Sequence, residues 1–196
     1  FDLADSRATA LAPVVMAIWE SRLNAIRETV GYDDVGWEEL LGVLHSENGW
    51  QDYGIPNGRR TVYYGHTDPN VSSTGLSTPI PKKLLQQGVR DIESHIRHYS
   101  TRTTEFKEYI AKGPDYLDFV ALEENDLIYI NRGLTEYRPP ERLVALYPKE
   151  GTFWHEHPLA IVNAGWVTPE QAQAARIVID YVLTQPVHHA IMVQGF

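Results

Sequence analysis

Residues Leu11 to Trp19 (LAPVVMAIW) form a near-continuous apolar run, and no other feature restricts the fold of this chain as much. A strand with one wet face alternates apolar and polar side chains, so an unbroken run predicts a strand buried on both faces. Leu143 to Tyr147 predicts a second apolar strand, and Thr61 to Tyr64 and Pro158 to Val162 two more. Gly36 to Leu44 reads as a short amphipathic helix, and Ser46 to Arg60, rich in Gly, Asn, Asp and Pro, as a loop. Leu84 to Tyr99 carries Val89, Ile92, Ile96 and Tyr99 at helical spacing, and Phe106 to Ile110 predicts a further helix that Gly113-Pro114 stops. Tyr116 to Ile130 mixes strand and helix signals. Thr168-Pro169-Glu170 opens a long C-terminal helix to about Leu183, with Thr168 as N-cap and proline in the first turn. Strands alternating with helices predict an α/β fold with a largely parallel sheet.

The two apolar strands bracket the middle of the chain, which suggests two lobes crossed by those strands: residues 1–18 and 145–196 in one, 19–144 in the other. A cleft between lobes is a favoured ligand site. Composition narrows the partner classes. Of 196 residues, 43% are hydrophobic, enough for a core, and the formal charge is −9. Nucleic acid and anionic membrane surfaces call for a clustered basic face, which this acidic chain lacks. With no cysteine, thiolate metal sites, disulfides and thiol nucleophiles are excluded. No apolar run approaches the roughly 20 residues that span a bilayer.

The most informative loop is Gly65 to Ser77, which follows the predicted strand Thr61 to Tyr64. Its hydroxyls, Ser72, Ser73 and Thr74, are candidate donors to a ligand, and Gly75 permits close approach of a ligand to the backbone. Unpaired N–H groups in such a loop suit an oxyanion or a polyhydroxyl solute; an ordinary helix cap explains the same residues. Glu123, Asn125 and Asn131, after the run Tyr116 to Leu122, form a second candidate group. The Glu123-Glu124 pair disfavours an anion and favours a cationic or hydroxylated solute or a metal, so the ligand class stays open; starting a helix is the simpler role of these acids. Thr152, in Lys149 to Trp154, is the third candidate contact, with neighbouring aromatics lining a cleft or packing a core. His155 and His157 share one strand face, and Asp91, His95 and His98 one predicted helix face, but neither completes a recognised metal set. Nucleophile, nucleotide and dinucleotide signatures are missing from the sequence, and no cofactor is expected.

The run Ala12 to Glu20, then Gly36 to Leu41, Thr67 to Leu76, Leu143 to Trp154 and His157 to Val162 resemble bacterial extracellular solute-binding proteins of the periplasmic type II class. The resemblance is strongest to the subgroup that often precedes a von Willebrand factor type A domain, and more distant to sulfate- and molybdate-binding proteins. It implies a two-lobed α/β receptor that closes on a small solute, non-enzymatic, outside the cytoplasm and attached to a membrane only through an anchor outside this chain. An ABC transporter permease or a von Willebrand factor type A domain is the implied protein partner. Family members begin with a strand–helix–strand set carrying a Ser-rich loop, which is not found here before Phe1, so the first part of the N-terminal lobe is expected to be missing. Two other functions compete: a metal-dependent hydrolase using His155 and His157, and an interaction module that binds no small ligand.

Overall fold

A computed structural model describes residues 2–76 and 92–196. The chain divides into two compact units, one built from Phe1–Pro13 and Trp154–Phe196, the other from Val14–Phe153. These boundaries fall at 13/14 and 153/154, where the sequence reading draws them at 18/19 and 144/145.

The larger unit is a five-stranded sheet with helices on both faces. Strand β1 (Asp2–Trp19) enters it at Val14, and helices α1 (Glu20–Val30) and α2 (Trp37–His45) follow. Next come β2 (Tyr64–Thr67), the single turn α3 (Ser73–Leu76), β3 (Ile96–Ser100) and α4 (Thr103–Ala111). The unit ends with β4 (Phe119–Glu123), α5 (Glu124–Asn131) and β5 (Leu143–Leu146). The strand order is β3-β2-β4-β1-β5. Strand β2 runs parallel to β3 and β4, whereas β1 is antiparallel to both β4 and β5.

The apolar run separates two cores. Val14, Met16 and Ile18 pack with Ile26, Trp37, Leu40 and Tyr64 on one face. Val15, Ala17 and Trp19 pack with Phe106, Ile110, Leu127 and Ile130 on the other. Successive side chains of a strand point to opposite faces, so an unbroken apolar run is what a sheet covered twice requires. The Trp19 indole completes this fit by donating to the Leu117 carbonyl at 2.7 Å.

Two sequence expectations are corrected. The strand expected over Thr61 to Tyr64 begins only at Tyr64. Tyr63 instead binds Asp118 twice, its N–H donating to the carboxylate at 2.7 Å and its carbonyl accepting from the Asp118 N–H at 2.9 Å. Within the expected helix Leu84 to Tyr99, residues Ile96–Ser100 form β3, while 84–91 lie outside the described residues. In β3 the half-buried Ile96 and His98 alternate with the exposed Arg97 and Tyr99, a period of two that pairs with β2 and that helical spacing concealed.

The smaller unit pairs the first part of β1 with β6 (Trp154–Asn163), antiparallel and interrupted by two register shifts. Helices α6 (Pro169–Val182) and α7 (Gln185–Val193) complete it. The sequence reading of the α6 start is correct: Thr168 accepts from Gln171 N–H while the Gln171 side chain accepts from Thr168 N–H, a capping box. Among the described residues no helix is long and apolar enough to cross a membrane.

One buried ionic cluster ties α1 to the sheet. Asp118, immediately before β4 and fully buried, meets Arg22 Nε at 3.2 Å and Arg59 Nη2 at 3.0 Å. The guanidinium of Arg22 lies over the Trp50 ring and that of Arg59 over the Tyr63 ring. Removing the carboxylate strands two guanidinium groups, so Asp118→Ala is expected to cost about 3 to 5 kcal/mol of unfolding free energy in a urea titration.

Candidate functional site

Strands β2, β3, β4 and β5 all end at one edge of the sheet. Val14, where β1 enters the larger unit, lies at this same edge, since it stands opposite Glu123, the last residue of β4. Thr67, the last residue of β2, likewise stands beside Ser100, the last of β3. In open α/β sheets the carboxyl ends of strands are where ligands bind, because loops leaving adjacent strands converge there.

Most of the candidates from the sequence gather at this edge. Ser72, Ser73, Thr74 and Gly75 follow β2, with Ser72 half-buried, Ser73 exposed and Thr74 buried. Glu123 ends β4, and Asn125 sits in the first turn of α5. Thr152 joins them through its hydroxyl, which donates to the Val14 carbonyl, while Val14 N–H donates to the Phe153 carbonyl at 2.9 Å.

Asn131 belongs elsewhere and is removed from the site. Its side-chain amide donates to the Leu143 carbonyl at 2.8 Å and accepts from the Leu143 N–H at 3.0 Å. Leu143 starts β5 opposite Trp19, the last residue of β1, so Asn131 closes the far end of the sheet.

The loop after β2 also differs from the expected N–H cradle. The Asp68 carbonyl accepts from Val71 N–H at 3.0 Å and Ser72 N–H at 2.8 Å, and the Asp68 carboxylate accepts from Asn70 N–H at 2.9 Å. The Asp-Pro-Asn sequence makes an Asx turn, and its donors are spent inside the loop.

Three further features of this edge were not anticipated. Thr67 is 2% exposed and its hydroxyl oxygen has no hydrogen-bond partner. The Asn125 amide oxygen is likewise buried and unpartnered. Buried polar atoms are almost always satisfied, so an unpartnered oxygen at the end of β2 and another in the first turn of α5 are exceptions. Tyr147, just past β5, donates its phenolic proton to Glu124; burial and that hydrogen bond push the phenol up to about 12, so it remains a donor at neutral pH. No periodic signal identifies Thr67, because one hydroxyl at the end of a strand resembles any other cap residue.

The loop bearing Thr152 is fixed from behind. Lys149 Nζ donates to Glu39 at 2.5 Å, and the Glu150 carboxylate accepts from Trp37 N–H at 3.1 Å, clamping the chain after β5 onto α2. Burial pushes the Glu39 carboxyl up, but hydrogen bonds from Lys149, Tyr32 and Gly36 N–H outweigh it and hold the group at about 2.

Among the described residues no group of three His, Asp or Glu side chains could hold a metal ion. His98 lies on β3, and Asp91 is outside the described residues, so the expected helix face is not formed. On β6 the ring of His157 meets that of Phe196 edge-on at 5.1 Å.

The sequence matches no protein-family model and no curated protein. Several solved structures share its fold. A two-component system protein mediating signal transduction is 17% identical, with a TM-score of 0.61 over 96% of this chain and 54% of that one. An extracellular solute-binding protein from Bordetella parapertussis is 10% identical, with a TM-score of 0.57 over 92% and 50%. The periplasmic binding protein AfuA from Actinobacillus pleuropneumoniae, with exogenous fructose-6-phosphate bound, is 13% identical, with a TM-score of 0.57 over 97% and 52%. The chain therefore has a periplasmic-binding-protein-like α/β fold, and it spans about half the length of these structures.

A carboxylate held below its unfolded value stabilises the fold above that value and loses the contribution as pH falls toward its folded one. Thermal unfolding between pH 4.5 and about 2 should thus show a steep loss of stability, and Glu39→Gln should flatten that segment of the profile.

Proposed function

We propose that this chain is part of a non-enzymatic solute-binding protein, and that the carboxyl edge of its larger sheet forms one wall of the binding site. The observation that carries the reading is the pair of buried unpartnered oxygens, Thr67 Oγ1 at the end of β2 and Asn125 Oδ1 in the first turn of α5, the helix that follows the neighbouring strand β4. Ser72, Ser73, Thr74, Gly75, Glu123, Asn125 and Thr152 are the proposed contact residues. Fold likeness to an extracellular solute-binding protein and to AfuA, described with fructose-6-phosphate, supports a small polar solute as the ligand. Placement outside the cytoplasm, and delivery of the solute to an ABC transporter permease or a signalling partner, follow from the same reading. Association with a von Willebrand factor type A domain rests on the sequence resemblance alone.

The double variant Ser73→Ala/Thr74→Val removes two hydroxyls of the loop while keeping the volume of the buried threonine. Calorimetric titration of the full-length protein with its solute should show at least tenfold weaker binding, about 1.4 kcal/mol, by a variant that remains folded. Wild-type affinity in this variant would remove the loop from the site.

A further inference from the structure

The solute-binding reading leaves the class of solute open between an oxyanion and a hydroxylated molecule. We infer that the site takes a neutral, hydroxyl-bearing solute, a sugar or polyol, and rejects inorganic oxyanions. This rests on the proposed site being correct, and four observations carry it further.

First, part of the donor set that would hold an oxyanion is already used. A desolvated anion requires several N–H or O–H groups converging on each oxygen. The N–H groups of Asn70, Val71 and Ser72 are bound by Asp68, and the Thr152 hydroxyl is bound by the Val14 carbonyl.

Second, the chain supplies its own anions to the helix ends at this edge. Helix α5 carries Glu124 and Asp126 in its first turn, and α4 carries Glu105. These carboxylates occupy the positive ends of the helix dipoles, where a bound anion would otherwise be favoured.

Third, among the described residues charge at the edge is negative. Asp68, Glu105, Glu123, Glu124 and Asp126 face Arg102 and Lys107, and Lys107 is held by Asp126 at 3.0 Å. Lys149, after β5, is taken by Glu39. A doubly charged oxyanion would enter this field at a cost, whereas a neutral solute would not.

Fourth, the two orphans ask for a group that both donates and accepts. A side chain at Gly65 would meet Phe106 and Leu117, so Thr67, two residues on, points to that same face. Leu127 and Ile130 of α5, the helix bearing Asn125, pack on that face with Phe106. A solute hydroxyl donates to one acceptor while accepting from the Thr67 hydroxyl, and it satisfies the Asn125 amide in either orientation. Sulfate and molybdate, fully ionised at neutral pH, accept only. Glu123 and Glu124 supply further acceptors, the usual partners of sugar hydroxyls.

Isothermal titration of the full-length protein tests this with D-glucose, D-ribose, maltose, mannitol and glycerol against sulfate, phosphate and molybdate. Saturable binding is expected for at least one neutral probe and for none of the oxyanions. Thr67→Val, which removes only the hydroxyl, should weaken the neutral probe roughly tenfold and leave the urea midpoint unchanged, because the lost hydroxyl has no partner in the protein. Silence from every neutral probe overturns the inference. An oxyanion that binds and is weakened by Thr67→Val overturns the solute class but keeps the site. Binding that neither Thr67→Val nor Ser73→Ala/Thr74→Val alters overturns the site itself.

Discussion

Burial of β1 on both faces is the constraint on which the larger unit depends. From Val14 to Trp19 every side chain is within 2% of full burial, odd and even positions feeding separate cores. Each large apolar side chain so placed contributes about 1.5 to 3 kcal/mol relative to exposure, and the run contributes on both sides at once. The strand is also antiparallel to both of its neighbours in a sheet otherwise parallel. Its antiparallel course is what puts Val14 at the carboxyl edge of β4 and β5, and so brings the Thr152 loop to the same place as the loops after β2 and β4.

Rigidity behind that edge comes from two polar anchors of different kinds. At the far end of the sheet, Asp118 holds Arg22 and Arg59 in a buried cluster, and Asn131 pairs with Leu143 as an extra strand residue would. Behind the Thr152 loop, Glu39 gathers Lys149, Tyr32 and the N–H of Gly36. At the edge itself, Thr67 and Asn125 keep buried oxygens that the protein does not satisfy.

Two expectations about the candidate residues differ from the structure, and the position of the others follows from the sequence pattern. Ser72 to Thr74, Glu123, Asn125 and Thr152 were visible as polar residues directly after apolar runs, and strands that end together bring such residues together. Asn131 looked like one more polar residue after β4, but the eight residues of α5 carry it to the opposite end of the sheet. The N–H groups of the loop looked available because sequence shows donors without their acceptors; Asp68 turned them inward. Thr67 was overlooked for the converse reason, since a lone threonine gains meaning only when its burial and its lack of a partner are known.

By itself the sequence determined the α/β class, the doubly buried strand, the start of α6 at its capping box and the acidic, cysteine-free character of the chain. These follow from local patterns: hydrophobic period, capping chemistry and composition act over a few residues. Tertiary structure decided that Ile96–Ser100 is a strand, that β1 opposes its neighbours, and which polar side chains near the strand ends are spent and which are spare. Those outcomes depend on partners distant in the chain, such as β2 for β3, Val14 for Thr152 and Leu143 for Asn131, and a hydrogen bond exists only where the fold brings its acceptor within reach.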